Sequence, residues 1–318
     1  VEKICSNCQE SVCIDVVIPT YKPVFEYLEV AINSVVGQSY RYCNLILVID
    51  QDDNKEIENQ VSNLKIPRFR TLVQKNAGQS AARNLGISDA KANFVALLDH
   101  DDYWLLGHLE YLAKTAHRSP NSALYFSGVT YLDPDGNLNP AAPNEEIFEK
   151  SDLATLLSDN LMVWPSSMML NKEVLGTALR FNPIFRGYED DDFIIRIAIA
   201  GKQIKPDLEY RTTIVRDHSF RHSYREGMGD SALLFKAEYA DLADSLNISN
   251  VFAKRFLALY LHIFRKFPNK KNKGNLFAYI EMNKHKSYLR YVKLIGFLPP
   301  KPLGIIVNAG IGFKKFLK

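Results

Sequence analysis

Four cysteines in 318 residues are too few to staple a chain of this length, which excludes a disulfide scaffold and favours a reducing compartment. Cys5 and Cys8 have CxxC spacing and Cys13 follows closely, but no second CxxC pair and no suitably spaced His completes a zinc set. Residues 1–13 are therefore read as a tail with free thiols, a zinc site being the other reading. Long apolar runs are lacking too. The longest, Phe256 to Phe264 and Leu303 to Phe313, fall well short of the ~18–20 apolar residues that a spanning helix needs. No apolar stretch follows Val1-Glu2-Lys3-Ile4-Cys5 in the manner of a secretory leader, so a cytoplasmic location is expected.

Acids are scarce in the last part of the chain. Residues 251–318 hold 15 Lys and Arg against one acid, Glu281, a net of +14, whereas residues 1–250 carry a net of −11. Such asymmetry points to a basic extension with an anionic partner. No nucleic-acid reading motif accompanies it, so nucleic acid is not the expected partner. Phe252, Phe256, Leu259, Tyr260, Ile263 and Phe267 fall on one helical stripe, with Arg255, His262, Arg265 and Lys266 elsewhere around it. Residues 251–318 are read as an interfacial element on an anionic membrane surface, peripheral at the inner face of the plasma membrane. Helices packed on the rest of the chain with a solvated basic face are the alternative.

What is present begins with a hydrophobic content of 47%, enough for a large core in one or two domains. The run Asp15-Val16-Val17-Ile18 ends at Pro19-Thr20-Tyr21, and Leu45 to Ile49 ends at Asp50-Gln51-Asp52-Asp53. Phe69 to Val73 gives a third strand, and Phe94 to Leu98 a fourth that ends at Asp99-His100-Asp101-Asp102. Helical spacing separates them: Leu28, Ile32 and Val35, then Ala82, Leu85 and Ala90 within Ser80 to Ala92. Alternating strands and helices predict a parallel α/β sheet that binds ligands beyond the carboxyl ends of its strands. The polar endings after strands one, two and four then share one edge. Three carboxylates in four positions after a buried strand either lie in a wet loop or await a cation. Further on, Leu124 to Leu132 alternates before a turn at Pro134-Asp135-Gly136, which predicts a hairpin or meander, and Ser167 to Leu170 reads as a strand. Glu189-Asp190-Asp191-Asp192 opens an amphipathic helix ending at Gly201, and acids in a first turn suit the helix dipole.

The ordered series DVVIPTYKP, VIDQDD, KNAGQSAARNLGI, FVALLDHDDYW and GYEDDDFIIRIAIAGK resembles glycosyltransferase family 2 over roughly residues 14–225. A lone DxD is a weak signal; five motifs in order are specific. The resemblance implies a GT-A fold: a Rossmann-like nucleotide-binding sheet with a mixed acceptor-side sheet, here followed by a basic, mainly helical extension. It divides the chain into the tail 1–13, a transferase domain 14–230 (donor half 14–120, acceptor half 121–230) and the extension 231–318. The implied activity is inverting transfer of a sugar from a nucleotide diphosphate sugar, UDP-linked, to a glycan or lipid-linked oligosaccharide, as in bacterial surface polysaccharide biosynthesis.

The same resemblance assigns roles. The departing diphosphate needs its charge neutralised, and Mg²⁺ or Mn²⁺, hard cations that prefer carboxylate oxygens, serves that end. Asp101 is the implied ligand, with Asp99 nearer the ribose, Asp102 supporting, and His218 of Arg216-Asp217-His218 reaching metal or diphosphate. Pro19, Thr20, Tyr21, Asp50, Gln51 and His100 match the nucleotide-sugar pocket. Gln51 stands where the family usually has a second Asp that accepts from uracil; its amide can both accept and donate. Arg83 is implied to meet the diphosphate or to pair with Asp50. Asp190 is the implied general base, with Glu189 orienting it or binding acceptor, while Asp191 and Asp192 are expected to be helix-start and surface acids. Trp104 and Trp164 either stack on sugar rings or pack in the core. Two other functions use the same acids: a metal-dependent diphosphate hydrolase and an inactive membrane-associated binding module.

Overall fold

The apolar run after Cys13 forms β1, Ile14–Thr20, and all seven of its residues are buried. Burial on both faces is characteristic of a strand inside a parallel sheet. A computed structural model describes residues 12–141, 145–149, 152–159, 161–217, 228–253, 255–256 and 274. Cys5, Cys8, His218 and most of the basic extension lie outside the described residues.

From β1 the chain runs through α1 (Phe25–Val36), β2 (Cys43–Asp50), α2 (Lys55–Ser62), β3 (Phe69–Gln74), α3 (Gln79–Asp89) and β4 (Phe94–Leu97). Next come β5 (Tyr103–Trp104), α4 (His108–Arg118), β6 (Ser122–Ser127), β7 (Val129–Leu132) and β8 (Leu138–Ala141). After α5 (Glu145–Glu149) and α6 (Leu153–Ser158) follow β9 (Met168–Asn171), α7 (Lys172–Leu175), α8 (Glu189–Ile199), β10 (Gln203–Asp207) and β11 (Thr213–Arg216). The last named helices are α9 (Met228–Glu238) and α10 (Ala240–Ser245).

Seven strands form the main sheet in the order β10-β6-β9-β4-β1-β2-β3, in which only β9 runs antiparallel to its neighbours. The chain leaves β1 for β2 and β3 on one side, then returns to β4 on the other. This reversal opens a crevice beyond the carboxyl ends of β1 and β4. A second, mixed sheet has the order β5-β11-β7-β8.

The segment from Leu124 to Leu132, expected to form one alternating piece, is divided between the two sheets. Residues 122–127 are buried without alternation in β6, and only β7 enters the hairpin with β8. Gly128 makes the break, where a Cβ would lie 2.7 Å from Arg211 Cγ.

At the far end of β1, buried Asp15 accepts hydrogen bonds from Lys91 N, Ala92 N and Asn44 Nδ2 at 2.6, 3.1 and 2.7 Å. Three donors offset the desolvation of its charge. Above the sheet, α3 seats directly on β1 and β2. A Cβ at Gly86 would overlap both γ-carbons of Val17 and lie 3.1 Å from Val48 Cγ2.

The described chain divides into two units. The first comprises residues 1–153, 161–184 and 189–218; the second comprises 154–160, 185–188 and 219–318. Within the second, Phe235 gathers Phe185, Tyr188, Tyr239 and Phe256 around it at ring separations of 4.8–6.0 Å. Phe252 and Phe256, read from sequence as membrane-facing, are buried here. Arg255 donates to the Leu157 carbonyl at 3.0 Å. These two aromatics are therefore core, because a neighbouring aromatic cluster covers them.

Gly86→Ala is expected to lift α3 off β1 and destabilise the protein by about 1–3 kcal/mol, as overpacked cores do. Urea unfolding followed by circular dichroism measures this; an unmoved midpoint would mean that α3 is not seated as described.

Candidate active site

Two loops at the carboxyl edge are braced before any ligand is considered. Asp50, buried at the end of β2, accepts from Gln74 Nε2 and Ala77 N on Oδ1, at 2.7 and 2.8 Å, and from Gly78 N on Oδ2 at 2.8 Å. Its carboxylate thus fixes the turn into α3, where Gly78 takes a φ of +92° that favours glycine. Gln51 Oε1 accepts from Lys22 N at 2.8 Å, and Gln51 Nε2 donates to the Asp53 carbonyl. This amide therefore ties the loop after β2 to the loop after β1. Thr20 Oγ1 and Ser80 Oγ are buried without a hydrogen-bond partner at the same edge.

The acidic loop after β4 has an inner and an outer part. Ser166 Oγ donates to Asp102 Oδ2 at 2.6 Å and accepts from Asp99 N at 3.1 Å. The Arg216 backbone N–H donates to Asp102 Oδ1 at 3.0 Å, and Arg216 Nε donates to the Asp101 carbonyl at 3.2 Å. Trp104 Nε1 donates to the Ser166 carbonyl at 2.7 Å, and its ring stacks on buried His108. Trp104 is thus a packing residue. Burial pushes the His108 imidazole down to about 3, so it stays neutral there. His100 Nδ1 lies 3.3 Å from the Pro19 carbonyl. Asp102 is buried and braces the loop, whereas Asp99 and Asp101 keep partial access to solvent.

One cation connects this loop to the head of α8. Arg83 is 1% exposed; its Nη2 donates to Asp99 Oδ1 at 2.8 Å and its Nη1 to Glu189 Oε1 at 2.9 Å. Burial alone would lower the guanidinium pKa, but Asp99 and Glu189 outweigh it and hold the group above its ordinary value. Phe181 lies under the guanidinium, 5.4 Å from ring centroid to Cζ. Asn84 pins the Phe181 backbone through two hydrogen bonds of 2.7 and 3.0 Å. Gln79 Nε2 donates to the same Glu189 oxygen as Arg83 does. Half-buried Asp190 accepts from Asp191 N at 2.9 Å. Its carboxyl is pushed well above the usual range, by burial first and then by the charges of Glu189 and Asp191, with Arg83 opposing.

With this geometry in place, comparison with known proteins decides the family. Residues 15–178 match the family model described as Glycosyl transferase family 2. The chain belongs to glycosyl transferase family 2. It is 28% identical over 186 residues to an uncharacterized glycosyltransferase of Methanocaldococcus jannaschii, covering 58% of this chain and 63% of that relative. It is 29% identical over 219 residues to TarP of Staphylococcus aureus, a poly(ribitol-phosphate) beta-N-acetylglucosaminyltransferase, covering 66% of this chain and 65% of TarP. The chain thus spans less than two thirds of either relative. The crystal structure of S. aureus TarS 1–349 in complex with UDP-GlcNAc superposes with a TM-score of 0.64 at 15% identity, covering 84% of this chain and 79% of that one. That likeness shows the shared GT-A fold.

Several placements in this family 2 chain differ from the sequence expectations. Arg83 pairs with Asp99 and Glu189, whereas Asp50 is occupied by the turn into α3. Asp191 and Asp192, expected at the surface, are 6% and 1% exposed. Asp192 Oδ2 accepts from Arg196 Nε and Nη2 at 2.9 and 2.7 Å, which offsets its burial. Trp164 meets Tyr131 edge-to-face at 5.0 Å. Among the described residues no three His, Cys, Asp or Glu side chains gather as a ready metal cage. Ser166 and Gln79 carried no sequence signal, since their partners stand 64 and 110 positions away.

Ser166→Ala leaves one Asp102 oxygen without its buried donor and is expected to destabilise by about 1–3 kcal/mol. Chemical denaturation provides the measurement; a loss below half a unit would mean that Ser166 does not brace the acids.

Proposed function

We propose that this chain transfers a sugar from a UDP-linked donor to a hydroxyl of a cell-surface glycan or lipid-linked oligosaccharide, with inversion at the transferred carbon. The observation that carries this function is the buried Arg83 guanidinium joining Asp99, at the switch point of the sheet, to Glu189, beside the half-buried Asp190. Family membership supports transferase chemistry. The acceptor named for TarP and the UDP-GlcNAc bound by TarS support a UDP-sugar donor and a surface glycan acceptor.

The nucleoside lies against Pro19, Thr20, Tyr21 and His100, with Gln51 offering an amide to the base and the loop held by Asp50. Asp101, with Asp99, would hold Mg²⁺ or Mn²⁺; His218 joins the proposal by resemblance alone. The donor set fits such an ion, because Asp99 and Asp101 keep access to solvent and hard cations commonly take one or two carboxylates. Bound there, it would neutralise charge developing on the diphosphate. Asp190 removes the proton from the attacking hydroxyl; burial and the neighbouring Glu189 and Asp191 charges raise its carboxyl pKa, the direction that makes a carboxylate a stronger base. Arg83 and Glu189 keep the acceptor-side acids beside the donor. The net charge of +14 over residues 251–318 supports attraction to anionic lipid.

Calorimetry with UDP and Mn²⁺, alongside a transfer assay over a panel of UDP-sugars, tests these roles. Asp101→Asn is expected to weaken metal-dependent UDP binding at least tenfold, about 1.4 kcal/mol; an unchanged titration removes Asp101 from the metal site. Asp190→Asn is expected to keep UDP binding and lower transfer by about 100-fold or more. Retained turnover overturns its role as base, and free sugar phosphate without transfer would identify a diphosphate hydrolase.

Asp190 acts only when deprotonated, so wild-type transfer rises with pH along an acid limb expected above the ordinary carboxylate value of about 4. A limb at or below that value in the pH–rate profile contradicts the assignment. Truncation after residue 256, which keeps the buried Phe252 and Phe256, is expected to release the protein from anionic liposomes; undiminished co-sedimentation refutes the membrane role.

A further inference from the structure

Glu189 Oε1 receives two hydrogen bonds from one helix. Arg83 Nη1 donates at 2.9 Å, and Gln79 Nε2 donates beside it. Residues 79 and 83 lie one turn apart on α3 and so share a face. Arg83 is divided between two acids, since its Nη2 is committed to Asp99. Gln79 adds a second, neutral donor, which fixes the rotation of the Glu189 carboxylate without adding charge.

That rotation matters because Asp190 is the next residue. Among the described residues, the charges that bear on Asp190 are Glu189 and Asp191 on its own helix and Arg83 on α3. Where the Glu189 charge is held therefore adds to what burial already does to the Asp190 proton. We propose that Gln79 is a positioning residue of the acceptor-side acids, fixing the Glu189 carboxylate so that its charge bears on Asp190. The consequence for turnover rests on Asp190 being the general base. Replacing Gln79 by Glu sets a second carboxylate against Glu189 Oε1, and the acids then titrate as a coupled group at higher pH. Replacement by Met keeps the length and removes the donor. Gln79 is half-buried at the first residue of α3, so neither side chain has to enter a fully buried site.

The experiment compares wild type, Gln79→Glu and Gln79→Met by two readouts: ¹³C NMR titration of aspartate carboxyl carbons, with Asp190 assigned by its loss in Asp190→Asn, and the pH profile of transfer. Gln79→Glu is expected to raise both the Asp190 midpoint and the acid limb by about one pH unit, a tenfold loss of turnover on the limb. Gln79→Met is expected to lower the plateau about tenfold while UDP binding stays unchanged. An Asp190 midpoint that Gln79→Glu leaves in place overturns the inference, whatever happens to thermal stability. A midpoint that moves while the acid limb stays overturns Asp190 as the base, and a Gln79→Met plateau equal to that of wild type overturns the positioning role of Gln79.

Discussion

A single buried guanidinium holds the two acidic clusters of this chain together. Arg83 comes from the helix after β3, Asp99 from the loop after β4, and Glu189 from the start of α8, 106 residues beyond the arginine. A buried cation with one partner removed leaves an uncompensated charge, which is strongly destabilising. Neither acidic cluster can therefore move independently of the other. Lysine would not serve here, because the two acids are addressed by different nitrogens of a planar fork. The adjacent Asn84 completes the unit by pinning the backbone of Phe181, the aromatic face on which the guanidinium rests.

The same residue type does opposite work within four positions. Asp102 spends its oxygens on Ser166 and the Arg216 backbone, inside the protein, and gives the loop its shape. Asp99 and Asp101 retain access to solvent. A similar division appears on α8, where Asp192 is neutralised by Arg196 while Asp190 has fellow acids as its closest charged company. Environment, and not residue identity, separates the acids that brace the fold from those left open to solvent or crowded by like charge.

Much of the sheet was legible because buried parallel strands are nearly continuous apolar runs. β1, β2 and β4 could be found that way, and with them the shared edge beyond Thr20, Asp50 and Leu97. What stayed hidden is whatever depends on distant pairing. The partnership of Ser166 with Asp102, or of Gln79 with Glu189, leaves no periodic trace, and a lone serine or glutamine has no compositional signature. The acids of α8 misled for a related reason: local pattern suggested a solvated first turn, whereas Arg196, one turn along, permits burial. At Gly128 an apparent alternation concealed a change of sheet.

The reversed direction of β9 has a consequence for how such a chain can diversify. Because Met168–Asn171 runs against β4, the residues just before it arrive at the carboxyl edge, and Ser166 reaches the acids from the turn that enters the strand. The stretch between β8 and β9 thus carries its brace on the acids in its last turn, at Ser166. Insertions or deletions well ahead of that turn would leave the brace in place.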